Sequence, residues 1–315
     1  MKSTASAPGK IILFREHFVV YGGKAILCAI NKRITVTAQT ISENKISIKS
    51  SIRNLVLAPK TPLSEVDIQL RPFYYLADKM IQKYDDKSGM EIIIDSEIPL
   101  GVGLGSSSAC CVAAAAAISG VFREESKEEI LRMAIEAEKI IFPNTSGADC
   151  TVCTFGGIIQ YDKQTGHSKI DSEPRFHLVI ANSKIEHSTK EVVSIVNQFK
   201  EKNKERFSKI CNEENNLIDD VLICLKKNDL KGIGFNIIKN QEYLELIGIS
   251  NEKLRNMIEL ANKFSFGAKI TGAGVGGCIF ALTDEANMED TIQQLRTNDY
   301  ECFSVKIDFK GLDTF

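Results

Sequence analysis

Two carboxylates stand eleven residues apart on either side of a break in the chain: Glu138 closes a helical pattern, and Asp149 follows Pro143-Asn144-Thr145-Ser146-Gly147. Asp149 is the more informative. It lies between Ser146-Gly147-Ala148 and an apolar run read as a strand, Thr151 to Ile159, where an unpaired carboxylate is costly unless it meets a cation or a metal. A glutamate near the end of a surface helix is ordinarily just solvated, so Glu138 alone carries little. Lys10 begins the first apolar strand after Ala7-Pro8-Gly9, and Glu16-His17 end it; a lysine at a strand edge is ordinarily a solubility device.

Two glycine-rich segments accompany these groups. Ile98-Pro99-Leu100-Gly101-Val102-Gly103-Leu104-Gly105-Ser106-Ser107-Ser108 falls between a strand and an alanine-rich helix. Glycines at alternate positions let the backbone take positive φ and approach a ligand closely, and the helix that follows aims its free N–H groups at the same place, which makes a phosphate cradle. It is neither a Walker loop nor the dinucleotide fingerprint, because no Gly-Lys-Ser/Thr follows and the glycine spacing differs. The second segment is Lys269-Ile270-Thr271-Gly272-Ala273-Gly274-Val275-Gly276-Gly277-Cys278. Alone it reads as a hairpin whose glycines avoid steric conflict. Cys150-x-x-Cys153 has no second pair to complete a zinc site, and the four histidines, at 17, 167, 177 and 187, lack metal-ligand spacing.

The elements that must hold these groups begin with short β-branched stretches at Lys10–Phe14, Ala25–Ile30, Arg33–Ile41, Lys45–Lys49 and Glu91–Asp95. A helical pattern opens at Ser64-Glu65-Val66-Asp67 and runs through Tyr84, with Pro72 expected to delay or kink its start. Ala109 to Ile118 is a helix by propensity. Ser126-Lys127-Glu128-Glu129 is a capping box ahead of Ile130, Ala134, Ala137 and Ile141, and Ser188-Thr189-Lys190-Glu191 repeats the signal. Cys150–Tyr161 and Phe176–Ala181 read as strands. The chain is then helical to Phe264, and it closes with strand, glycine-rich loop, strand (Ala268–Leu282), helix (Met288–Arg296) and strand (Glu301–Asp308). This order predicts an α+β protein in two lobes, residues 1–180 and 181–315, with the active site in the cleft between them.

Composition sets the frame. The 315 residues are 43% hydrophobic and 25% charged, which excludes extended disorder and fibrous folds. A net charge of -2 argues against a protein whose main task is to hold nucleic acid. Nine scattered cysteines fit a reducing cytoplasm better than a secreted disulfide framework. No secretory or lipidation signal is visible, and the uncharged stretch Leu100–Phe122 is too rich in Gly, Ser and Ala for a membrane span.

Together the segments resemble the GHMP kinase superfamily and, within it, the mevalonate kinases. Ala7-Pro8-Gly9-Lys10 through Phe14, with Glu16-His17-Phe18-Val19-Val20-Tyr21-Gly22, is similar to that family's N-terminal motif; Pro99–Ser108 and Lys269–Cys278 resemble its phosphate loop and third motif. The resemblance implies a two-lobed fold and ATP-dependent phosphorylation of the 5-hydroxyl of mevalonate, in the route to isoprenoids, with ATP and Mg²⁺ as cofactors. By the same resemblance Asp149 is the catalytic base and Lys10 sits beside the transferred group. Gly101, Val102, Gly103, Leu104, Gly105, Ser106 and Ser107 hold the nucleotide, Ser107 and Glu138 bind the metal, and Lys10, Glu16, His17, Thr189, Gly272 and Ala273 lie near mevalonate. Nothing in it calls for nucleic acid or a membrane, and a homodimer is left open. Kinases of other small alcohols (phosphomevalonate, a sugar, the 3-hydroxyl of mevalonate) and a non-catalytic sensor on the same fold are the rival readings. The chain departs from the family at Arg15, where the family has glycine; at Phe142-Pro143-Asn144-Thr145, in place of His-Gly-x-Pro; at Val275, for another glycine; and at His187, for an arginine near the substrate. Arg15 either obstructs the pocket or pairs with an acidic neighbour and leaves it open; the second is expected, since an unpaired cation pressed into a pocket is costly.

Overall fold

The structure, a computed structural model, describes residues 1–85, 88–99, 102–186 and 188–315; Gly101 and His187, both expected near the site, lie outside the described residues. The chain starts with two long antiparallel neighbours, β1 (Lys2–Phe14) and β2 (Ala25–Ile41), joined through a 3-10 turn at Phe18–Tyr21. The two strands expected at Ala25–Ile30 and Arg33–Ile41 are one. Pairing steps from Gly9↔Ile30 to Pro8↔Arg33, so Asn31 and Lys32 form a bulge opposite Pro8, a place where a residue without an N–H is tolerated.

β3 (Ile46–Ser50) and β4 (Asn54–Leu57) make a hairpin. The helical signal at Ser64 produces only a 3-10 turn, Leu63–Glu65, and α1 (Arg71–Lys83) starts late with Pro72 in its first turn, where proline's missing N–H has no intrahelical partner to lose. β5 (Gly89–Ser96) pairs antiparallel with β2 and parallel with β3. α2 (Ser106–Gly120) leaves the Gly/Ser loop and lies across β1 and β2, with every residue from Ser108 to Ser119 buried. It is apolar all round because it has neighbours all round. α2 takes up Ser106–Gly120 of the long uncharged stretch, and among the described residues no helix is long and apolar enough to cross a membrane.

α3 (Lys127–Glu138) is capped as expected, the Ser126 hydroxyl accepting the Glu129 N–H at 3.2 Å. The strand expected at Cys150–Tyr161 is corrected: residues Ala148–Phe155 form a helix, α4, and only Ile158–Asp162 is strand, β6. Gly147 at φ 81° turns the chain into α4, and Gly156 and Gly157, at φ 68° and 72°, turn it out again. β7 (Gly166–Lys169) pairs with β6.

β8 (His177–Asn182) opens a second sheet, followed by α5 (Thr189–Lys202), α6 (Lys204–Lys227), α7 (Leu230–Leu246), α8 (Glu252–Ala261), β9 (Gly267–Ile270), β10 (Cys278–Thr283), α9 (Met288–Thr297) and β11 (Glu301–Val305). The second sheet is antiparallel in the order β11-β8-β10-β9; the first runs β12-β1-β2-β5-β3-β4, where β12 (Asp313–Thr314) is the chain's last strand and β6 continues off the first half of β2. Arg33 fastens that returning tail, donating to the Ser6 and Gly311 carbonyls at 2.8 Å each and pairing with Asp308. One cluster of buried apolar side chains runs through both sheets and their helices, so the two lobes share a core and the groups at their junction are held from both sides.

Candidate active site

The phosphate loop and Lys10 are built as one piece. The Lys10 N–H donates to the Leu104 carbonyl at 2.9 Å, and a Cβ on Gly105 would lie 2.5 Å from the lysine's Cγ. Gly105, at φ 74°, is the residue from which α2 starts, so the loop glycine gives the turn its positive φ and leaves space for the lysine stem. Val102 and Leu104 are buried and pin the loop, while Gly103 and Ser107 are exposed and Ser106 is half-buried. An apolar cavity of about 480 Å³ opens at this end of α2, walled by Ile34, Phe73, Ile94 and Cys110 and reaching Ser106 and Ser107.

Lys10 Nζ lies 2.9 Å from Asp149 Oδ2; the lysine side chain is 6% exposed and the aspartate 34%. Asp149 occupies the first turn of α4, where the helix's unpaired N–H groups favour a negative charge. The two groups singled out from the sequence as cation and acid are thus in contact, with the acid open on one side.

Glu138, 4% exposed at the end of α3, takes a hydroxyl on each oxygen: Ser108 donates to Oε1, and Thr145 donates to Oε2 at 2.6 Å. Ser107, expected beside it, points to the exposed side of the helix. These residues form a hard-oxygen donor set. Burial pushes the neighbouring Cys111 and Cys150 thiols well above their usual range, so they stay protonated, and among the described residues no three His, Cys, Asp or Glu side chains converge. One carboxylate with hydroxyls suits Mg²⁺, which takes few protein ligands and keeps phosphate and water oxygens; it does not suit a zinc cage.

Glu16 commits one carboxylate oxygen to Lys269, while its Oε2 has no hydrogen-bond partner among the described residues. It forms a fully buried ion pair with Lys269, whose Nζ also donates to the Ile270 carbonyl at 2.8 Å. Burial pushes the glutamate up and the lysine down, and each partner's charge opposes the other's shift. His17 reaches the third motif, with Nε2 2.6 Å from the Ala273 carbonyl oxygen. A carbonyl only accepts, so Nε2 carries the proton; burial lowers the ring's pKa, and neutral imidazole leaves Nδ1 as an acceptor. Gly272 stands in the same turn at φ 82°, and Thr189 is exposed at the start of α5. Sequence reasoning gives Lys269 no role, although a signal exists: a lysine inside the apolar strand Gly267-Ala268-Lys269-Ile270 requires a buried counter-charge.

Arg15 is fully buried at φ 71°. Its guanidinium donates to the Asn215 side chain and to the carbonyls of Phe18 (3.2 Å) and Gly22, tying the 18–22 turn to α6. A Cβ on Gly23 would collide with Nη1, so the neighbouring glycine makes room for the guanidinium. The expected acidic partner is replaced by neutral acceptors; among the described residues Arg15 makes no ion pair, and Glu214 acts on it only through its field. The side chain is occupied with this turn and α6.

Behind Arg15, Glu214 is 0% exposed and burial pushes its pKa up to about 7. Oε1 accepts from Asn240 Nδ2, while Glu214 Oε2 and Asn240 Oδ1 have no hydrogen-bond partner among the described residues. A proton on Oε2 supplies the missing donor and makes a two-bond acid–amide pair. Because the folded pKa lies above the unfolded 4.5, this contribution is full below pH 4.5 and is lost as pH rises to about 7, on the order of 3 kcal/mol in all. Glu214→Gln keeps both bonds without titrating, so urea midpoints of the variant fall less steeply over that window than those of the parent protein. Parallel slopes would contradict the assignment.

The GHMP kinases N terminal domain matches residues 72–157 and the GHMP kinases C terminal domain residues 221–301. The chain is 36% identical to the mevalonate kinase of Archaeoglobus fulgidus over 88% of its length and 91% of the relative, and 34% identical to that of Pyrococcus furiosus over 92% and 91%. Among solved structures it superposes on the Methanococcus jannaschii mevalonate kinase with a TM-score of 0.86 at 27% identity, covering 97% of this chain and 98% of the other. It has the fold of the L. major mevalonate kinase solved in complex with R-mevalonate, with a TM-score of 0.81 at 23% identity over 96% and 95% of the two chains.

Proposed function

Because the chain belongs to the mevalonate kinases of the GHMP superfamily, we propose that it transfers the γ-phosphoryl group of ATP to the 5-hydroxyl of mevalonate. The observation that carries this reading is the contact of Lys10 with Asp149 at 2.9 Å, beside a phosphate loop whose Leu104 carbonyl holds the same lysine. Phosphoryl transfer calls for positioning and charge neutralisation more than covalent chemistry, and the residues divide along those lines.

The apolar cavity receives the nucleotide base, and its polar end at Ser106 and Ser107, with the N-terminus of α2, receives the phosphates. Asp149 takes the hydroxyl proton on its open side. Lys10 stabilises the negative charge that develops on the transferred group. Mg²⁺, when bound, neutralises phosphate charge, and Glu138 with its hydroxyl partners is the place for it. His17 Nδ1 and the turn at Gly272-Ala273 border the substrate side; Glu16 acts there indirectly, by neutralising Lys269.

A panel of mevalonate, phosphomevalonate, galactose and homoserine, assayed for ADP release, tests the proposal. Mevalonate is expected to turn over at least about a hundredfold more efficiently than the others, and an ordering led by another alcohol, or ligand binding without turnover, would overturn it. On the geometry of Arg15, Arg15→Gly changes KM for mevalonate by less than about tenfold, or ~1.4 kcal/mol. A hundredfold gain in kcat/KM on that substitution would show instead that the arginine damages the site.

A further inference from the structure

Glu138 and Asp149 belong to different helices, and one hydroxyl links them. Thr145 Oγ1 donates to Glu138 Oε2 at 2.6 Å and accepts the Gly147 N–H at 3.2 Å. Gly147 is the residue from which α4 starts, with Asp149 in the first turn. We propose that Thr145 is a positioning residue that fixes the metal-binding carboxylate relative to the catalytic base, with Ser108 holding the other carboxylate oxygen. The inference rests on the assignment of Glu138 to the metal.

Two observations bear on it. First, Glu138 is 4% exposed and Ser108 3% exposed, so the carboxylate has little water to orient it, and the two hydroxyls hold its oxygens. Second, each hydroxyl donates its only proton to the carboxylate, and a carboxylate oxygen accepts more than one contact, so the arrangement leaves lone pairs for a cation while fixing where they point. Hydrogen bonds of this kind to metal-ligating carboxylates typically govern affinity by about 10- to 100-fold.

The test follows Mn²⁺ binding to the ADP-bound full-length protein by electron paramagnetic resonance, a readout that needs no turnover. Thr145→Val removes the hydroxyl at nearly constant shape and is expected to raise the Mn²⁺ Kd about tenfold; Thr145→Ser, which restores the hydroxyl, should bind within about threefold of the parent. Ser108→Ala should weaken binding similarly from the other oxygen. In steady-state assays Thr145→Val lowers kcat with KM for mevalonate unchanged, since the threonine touches neither His17 nor Lys10. If valine prevents folding, Thr145→Ala removes the same proton without the added methyl and is read in the same way. Parent-like Mn²⁺ affinity in the hydroxyl-free variant overturns the inference. Glu138→Gln run alongside separates the levels: if it too binds Mn²⁺ normally, the metal assignment fails, and if it alone loses binding, only the role of Thr145 fails.

Discussion

Asp149→Asn is expected to lower kcat by about 10²- to 10⁴-fold, the usual effect of losing a general base, while ATP still binds. The amide fills the same space in the first turn of α4 but cannot take the hydroxyl proton, and it gives Lys10 a neutral neighbour in place of an anion. The proposed nucleotide-binding loop is a different element, the one leading into α2, so the loss is expected to fall on kcat, with KM for ATP little changed. Stability should also change little, because the aspartate is 34% exposed and an ion pair that open to water contributes modestly. Near-normal kcat in a folded Asp149→Asn variant would remove this residue from the mechanism.

Glu138→Gln should raise the Mg²⁺ concentration for half-maximal rate by on the order of tenfold or more and lower kcat at saturating metal. Two causes act together. A hard cation prefers an anionic oxygen, and the amide also presents an N–H₂ group to one of the two hydroxyls that donate to Glu138, so either Ser108 or Thr145 loses its acceptor. An unchanged magnesium titration would leave Glu138 a buried structural carboxylate, satisfied by its two hydroxyls and without a catalytic task.

What the sequence disclosed and what it hid follow from the range of the interactions. The Ser126 cap was legible because donor and acceptor are three residues apart; Asp149 stood out as a carboxylate beside an apolar run, whereas Lys10 read alone as a strand-edge lysine and gained a role only through the family resemblance. α4 was not legible. Thr151-Val152-Cys153-Thr154 favours a strand by local propensity, and packing against α2 and α3 decides otherwise. The partner of Glu16 lies 253 residues away, and Asn215, the side chain that Arg15 reaches, lies 200 away, distances over which no local pattern speaks. In the serine triplet, successive residues point about 100° apart around the helix; only the axis of α2 shows that Ser108 faces Glu138 while Ser107 faces out.

Everything proposed for the site converges on the identity of the phosphorylated oxygen, which phosphorus NMR of the product formed from ATP and (R)-mevalonate reads without intermediaries. The expected result is one equivalent of ADP and a phosphomonoester whose phosphorus couples to the two methylene protons of C5. A phosphorus signal without methylene coupling, which places the group on the tertiary 3-hydroxyl, or ATP consumption without a phosphorylated mevalonate, would contradict it.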